Sequence, residues 1–272
     1  MNPVLRQRKC SSFLPTETME VSAMTPKIQV PVSHSTLLSY DEMPEWYQDN
    51  EFILHKYRPI SNSTYECFSS WLSWHNETVN IHSHLIPAIM FLAAEGFIST
   101  YLQSKYPGMT VFDHLIFAAF LLSAVICLGL SATYHTMSNH SCKLSSIWLQ
   151  FDFVGIIVLT LGDFVSGIYM AFYCEPTLQQ AYWASILALG FLTIAILVSP
   201  KSQGPRWRTL RTCAFVGTGL SGFVPIFHGI ILFGFSQMAK QSGMPYYLAE
   251  GFLLLLGALV YAVSTEDTRS AS

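Results

Sequence analysis

Residues 113–135 read DHLIFAAFLLSAVICLGLSATYH. From Leu115 to Tyr134 there is no Asp, Glu, Lys, Arg or His, and about 20 apolar residues in helical conformation cross a hydrocarbon core. A run of that length predicts a membrane-spanning helix. Working outward, similar runs recur at about 84–103, 147–172, 178–198, 209–234 and 245–263. The short connections between them predict antiparallel neighbours, and Pro225 predicts a kink in the fifth run. Over the 272 residues, 51% are hydrophobic and 11% charged, against about 25% charged in a soluble domain. The reading is an all-α, polytopic membrane helical bundle with six transmembrane helices present.

The flanks differ in character. Residues 1–43 are rich in Ser, Thr and Pro without periodicity, which predicts a disordered tail. The start MNPVLRQRKC is basic but has no apolar core behind it, so the first hydrophobic helix is expected to serve as its own targeting signal. Residues 44–83 interleave aromatics with charge and suit interfacial amphipathic helices, or else a small soluble cap. Residues 264–272 form a short polar tail. If the N-terminus is cytosolic, the inside loops hold Lys143, Lys201, Arg206, Arg208 and Arg211 and the outside loops only Lys105 and Lys240, as the positive-inside rule asks. The net charge of -3, with few scattered basic residues, excludes a nucleic-acid surface. The six cysteines show no C-x-x-C pair and read as structural thiols.

Polar residues inside a bilayer are costly, so chemistry is sought there first. Ser131 and His135 lie four apart on one face at the end of the second run, and Asp152 opens the third at a matching depth. A histidine and a carboxylate so placed are half of a metal site; they are equally a hydrogen-bonded helix end and a helix-start acid. Before the first run, Glu77, Asn80 and His84 follow helical spacing and read first as a polar seam tying helices together. Glu95, Asp163 and His228 are further intramembrane polar groups expected to be hydrogen-bonded within the bundle. Gly155, Gly162 and Gly167 permit close helix contact.

Taken together, P-x-W-x-x-x-N-x-x-I from Pro44, the Tyr57-Arg58 pair, ETVNIHSHL from Glu77, SATYH from Ser131 and FDFVGI from Phe151 resemble the progestin and adipoQ receptor family. That family is related to the haemolysin III proteins and includes the adiponectin receptors and fungal zinc-homeostasis proteins. The likeness covers about 44–263 and inclines to a fungal-type member. It implies a seven-helix bundle with a cytosolic N-terminus and a zinc ion held by one histidine of the second span and two of an H-x-x-x-H motif in the seventh. By motif match, His135 is the first metal ligand, Asp152 holds the zinc-bound water and Ser131 lines the same place. The implied activity is zinc-dependent amide hydrolysis of ceramide-like lipids, in lipid or sterol signalling and zinc homeostasis.

One departure matters. After Tyr261 the seventh span is missing and no histidine follows His228, so the chain as written is expected to hold zinc weakly or not at all. A shortened gene model or splice form, a genuine metal-free member, and a chain completed by a partner helix all account for this, and the abrupt polar tail favours shortening. The competing function is a receptor or regulatory protein without metal. A pore former ranks last, because no span shows a polar stripe. Expected partners are membrane lipids, a sphingolipid or sterol-like ligand and further copies of the chain as a homo-oligomer, at the plasma membrane or endoplasmic reticulum.

Overall fold

A computed structural model describes residues 37–202, except 49 and 51, together with 207–253 and 256. Its main elements are α1 (Thr64–Ser69), α2 (Thr78–Lys105), α3 (Val111–Met137), α4 (Cys142–Ala171), α5 (Pro176–Val198), α6 (Arg208–Ser221), α7 (Phe223–Phe233) and α8 (Phe235–Gln241). There is no β-strand among the described residues; Leu38 and Tyr57 form an isolated antiparallel bridge. Five stretches are long and apolar enough to cross a membrane: α2, α3, α4, α5 and the combined Thr209–Phe233. The sixth expected span is helical over 244–253; its remainder and the 264–272 tail lie outside the described residues, as do residues 1–36 of the expected disordered tail.

Sequence-local signals set the ends of the helices. Thr110 and Asp113 form a reciprocal capping box at the start of α3, Ser141 accepts from the Leu144 N–H at the start of α4, and Pro176 opens α5, where its missing N–H costs nothing. α2 begins at Thr78, six residues before the apolar run that marks the span. The extra turns carry Asn80, whose amide reaches back to Glu77 three residues before it.

Successive helices pack in order: α2 on α3, α3 on α4 most extensively, α4 on α5 and α5 on α6. A Cβ on Gly155 would lie 3.1 Å from the Cys127 Cα, and one on Gly162 would lie 2.7 Å from the Ser123 Cβ. These two positions, two turns apart, seat α4 directly on the backbone of α3. The fifth span runs over Thr209–Phe233 and is interrupted at Gly222, which keeps right-handed helical dihedrals between α6 and α7, as the expected kink requires. Pro225 explains the break, since it leaves the Ser221 carbonyl without its helical donor and its ring presses on that carbonyl.

The apolar core of the bundle centres on Ile168, Ala171, Phe172, Ile186, Met238 and Met244. A second cluster, Ile157, Leu161 and Leu197, lies between α4 and α5. Residues 37–62 are mostly extended chain and turns with one 3-10 turn at Tyr40–Glu42, closed on buried Met43, Tyr47 and Tyr57. Ser61 and Asn62 donate their N–H groups to the Asn139 and His140 carbonyls, so this segment covers the end of the bundle where α3 turns into α4.

Candidate functional site

Two hydrogen bonds join α2 to α3 beneath that cover. The Nδ1 of His135 lies 2.8 Å from Glu77 Oε2, and one step deeper the Nδ1 of His84 lies 2.8 Å from Ser131 Oγ. The helices run antiparallel, so residues seven apart on α2 meet residues four apart on α3. The two imidazoles stand edge to face with centroids 5.9 Å apart.

Glu77 is 8% exposed and also receives Asn80 Nδ2 at 2.8 Å and Asn76 Nδ2 at 3.0 Å. Burial works against its charge, but the hydrogen bond and charge of His135, the Asn80 hydrogen bond and the charge of Arg58 outweigh burial and hold the carboxyl below its usual value. An ionised carboxylate only accepts, so His135 donates to it through Nδ1 and leaves Nε2 for another partner. Burial, followed by the Arg58 charge, lowers nearby His75 to about 4; its Nδ1 accepts the Glu77 N–H at 3.1 Å.

Arg58 is 3% exposed. It donates to the His135 carbonyl at 2.7 Å, the Thr136 carbonyl at 3.0 Å, Ser138 Oγ at 3.0 Å and Ser70 Oγ at 2.9 Å. The guanidinium thus caps the C-terminus of α3, supplying the donors its last carbonyls lack. Trp71 Nε1 adds a bond to Thr136 Oγ1 at 2.8 Å.

Asp152 is half-buried on α4, one turn from the Gly155 contact, and near enough to act electrostatically on His84. Among the described residues its carboxylate makes no hydrogen bond to His135, His84 or Ser131. The structure therefore joins His135, Ser131, Glu77 and His84 into one network and sets Asp152 beside it. Sequence reasoning quoted Arg58 in a motif without giving it a role, and its four partners come from two segments far from it in sequence, Ser70 and residues 135–138.

The donor set fits one position of a zinc centre. His135 is oriented through Nδ1, as metal-ligating histidines usually are, and a carboxylate stands nearby. Catalytic zinc uses three protein ligands, and no group of three His, Cys, Asp or Glu able to hold a metal occurs among the described residues. The described residues do not make a complete centre.

A family model described as Haemolysin-III related matches residues 72–269. Progestin and adipoQ receptor-like protein 1 of Caenorhabditis elegans is 37% identical over 232 residues, covering 85% of this chain and 52% of that protein. The adiponectin receptor protein of Drosophila melanogaster is 36% identical, covering 84% and 51%. The ADIPOR-like receptor IZH2 of Saccharomyces cerevisiae is 33% identical, covering 84% and 71%. The chain spans about half the length of the nematode and fly proteins. Animal and fungal relatives stand close together in identity, which does not single out the fungal type.

Proposed function

The chain belongs to the haemolysin III-related family, among proteins of the progestin and adipoQ receptor type, and on that premise we propose that it is a multi-pass membrane protein of lipid signalling and zinc homeostasis whose chemistry centres on His135. The observation that carries this reading is the Glu77–His135 pair. It holds the imidazole through Nδ1, with Nε2 turned away from Glu77, near Ser131 and Asp152, at the membrane depth where the family resemblance puts its metal.

A zinc ion with three protein ligands lowers the pKa of its bound water to about 7 and so supplies hydroxide at neutral pH. His135 is then one ligand of a lipid amidase centre, and the remaining ligands come from beyond the described residues. Glu77 orients His135, Ser131 and His84 line the site, and Arg58 fixes the helix end that carries the ligand. Asp152 stands where a carboxylate can hold a water proton. The covered end of the bundle is cytosolic in this reading, in keeping with the basic residues of the loops that share that side.

The second reading is a receptor or regulatory protein that binds no metal. What favours it is that His135 and His84 already have protein partners in Glu77 and Ser131. Zinc affinity of the purified chain, titrated for the wild type and for His135→Ala, tests the assignment: the incomplete ligand set is expected to bind zinc weakly in the wild type and at least tenfold more weakly in the variant. Zinc bound at the wild-type affinity in His135→Ala overturns the ligand assignment. Release of fatty acid from a ceramide in detergent micelles separates hydrolase from receptor.

A further inference from the structure

Large apolar side chains of the cover, and of the turn that leads into α2, stand open at the surface before the first span begins. Leu72 is 99% exposed, Phe52 75% and Trp74 66%, and Leu54 is exposed as well. Such a patch marks contact with a partner or a membrane. Ordered turns present it. Asn50 Oδ1 accepts the Phe52 N–H at 3.0 Å, the Asn50 carbonyl accepts the Ile53 N–H and the Tyr57 hydroxyl at 3.1 Å each, and Tyr40 donates its N–H to the Leu54 carbonyl at 3.0 Å. Thr78 Oγ1 donates to the Ser73 carbonyl at 3.2 Å and accepts the His75 N–H at 2.8 Å, which folds the chain around Trp74. The Asn76 N–H donates to the Lys56 carbonyl at 2.9 Å and ties the two turns together.

The depth of the patch follows from α3. Its charge-free run ends at Tyr134, and Thr136 lies about 3 Å further along the helix. Headgroups add roughly 5–7 Å to each side of the hydrocarbon core, so Thr136 stands among them. Trp71 Nε1 donates to Thr136 Oγ1, which sets the 3-10 turn Ser70–Leu72 at the same level. Glu77, the neighbour of Asn76, meets His135 at that level too.

Below it, Val79, Ile86, Met90 and Phe97 of α2 are all exposed at steps of seven, four and seven residues, which line one face of a helix. That stripe faces hydrocarbon along the span, and its upper end at Val79 reaches the turn that carries Trp74. The patch therefore continues the surface that the bundle already offers to lipid. A phospholipid layer suits it: aromatic rings favour the headgroup level, and apolar side chains there sink about 5–10 Å into the boundary with the acyl chains.

We propose that Phe52, Leu54, Leu72 and Trp74 form a lipid-docking surface that seats the cover on the phospholipid layer around the bundle. The cover is then held at two points, by Arg58 on the end of α3 and by lipid at its outer rim. The surface comes from two turns rather than from one helix face, so no helical periodicity announces it. It shares no residue with the His135 network and does not depend on metal or hydrolysis there.

The test uses the whole chain in phosphatidylcholine nanodiscs, with the photoreactive amino acid benzoylphenylalanine placed at position 52, 72 or 90. Mass spectrometry after irradiation reads what has been captured. Phospholipid adducts at Phe52 and Leu72 are expected at no less than a fifth of the yield at Met90, which faces the hydrocarbon. A lower yield at either position, or a second copy of the chain captured in place of lipid, overturns the proposal. Trypsin gives a second reading, because Lys56 is exposed between the lipid seat and Arg58. Cleavage after Lys56 in nanodiscs is expected to run at least threefold faster when Leu72→Glu and Trp74→Glu are combined. Both side chains are exposed, so the substitutions leave the fold intact. A smaller increase overturns the claim that lipid holds the cover.

Discussion

The two polar centres of this bundle are built in opposite ways. Under the cover of residues 37–62, acids, imidazoles and a guanidinium are cross-bonded: Glu77 to His135, His84 to Ser131, and Arg58 to the end of α3, although Arg58 Nε, His75 Nε2, Asn76 Oδ1, Asn139 Oδ1 and the Tyr47 hydroxyl are buried there without a partner. Further along α4, Asp163 is as deeply buried yet shares a cavity with another acid, Glu250. The difference teaches that burial of a charged group is not by itself a sign of structural use. What the neighbours donate decides how a buried acid is accommodated.

The largest effect expected from breaking this contrast is at Arg58. Arg58→Ala removes four charge-assisted bonds, leaves the Thr136 carbonyl unpaired and leaves the His135 carbonyl with Ser138 Oγ alone, which should cost about 3–4 kcal/mol in equilibrium unfolding in mixed micelles. A loss below about 1 kcal/mol would mean that the cover does not hold α3 in place.

Acid should reach the same region through His75. Its imidazole titrates near 4 in the folded chain against an ordinary 6.5, so the unfolded chain takes up the proton first. Its contribution is complete above pH 6.5, declines as the pH falls toward 4 and is gone below, a loss on the order of 3 kcal/mol. His75→Asn should flatten that limb of the stability curve; an unchanged limb would assign it to other groups.

Glu77→Ala strands the donors of His135, Asn80 and Asn76, with an expected loss of about 2 kcal/mol. Nitrogen chemical shifts of His135 should also show that the Nδ1–H tautomer is no longer enforced, and a tautomer unmoved by the substitution would deny Glu77 its orienting part. The smallest effect has the other sign. Asp163→Asn relieves the repulsion with Glu250 and should leave stability unchanged or raise it by up to about 1 kcal/mol. A loss of 2 kcal/mol or more there would erase the contrast between the two centres.

Much of the architecture was legible in the sequence. Runs such as 115–134 set the spans through length alone, and Pro225 marked the interruption of the fifth. Ser131 and His135 were legible as a pair because four residues is one turn. The start of α2 was not, because Thr78 to His84 reads as polar until α3 and the cover supply its partners. Arg58 finds its acceptors 77 to 80 residues away, and Asp163 meets Glu250 across a similar distance in sequence. No local pattern encodes such meetings.

The position of Arg58 also bears on the order of biogenesis. The guanidinium is synthesised before α2 and α3, yet its acceptors at His135, Thr136 and Ser138 leave the ribosome only about eighty residues later. The segment that emerges first can therefore set only after the hairpin behind it has been inserted and turned back. Its closure becomes a natural checkpoint, and protease protection of residues 37–62 in nascent chains of increasing length would report when the first pair of spans has come together.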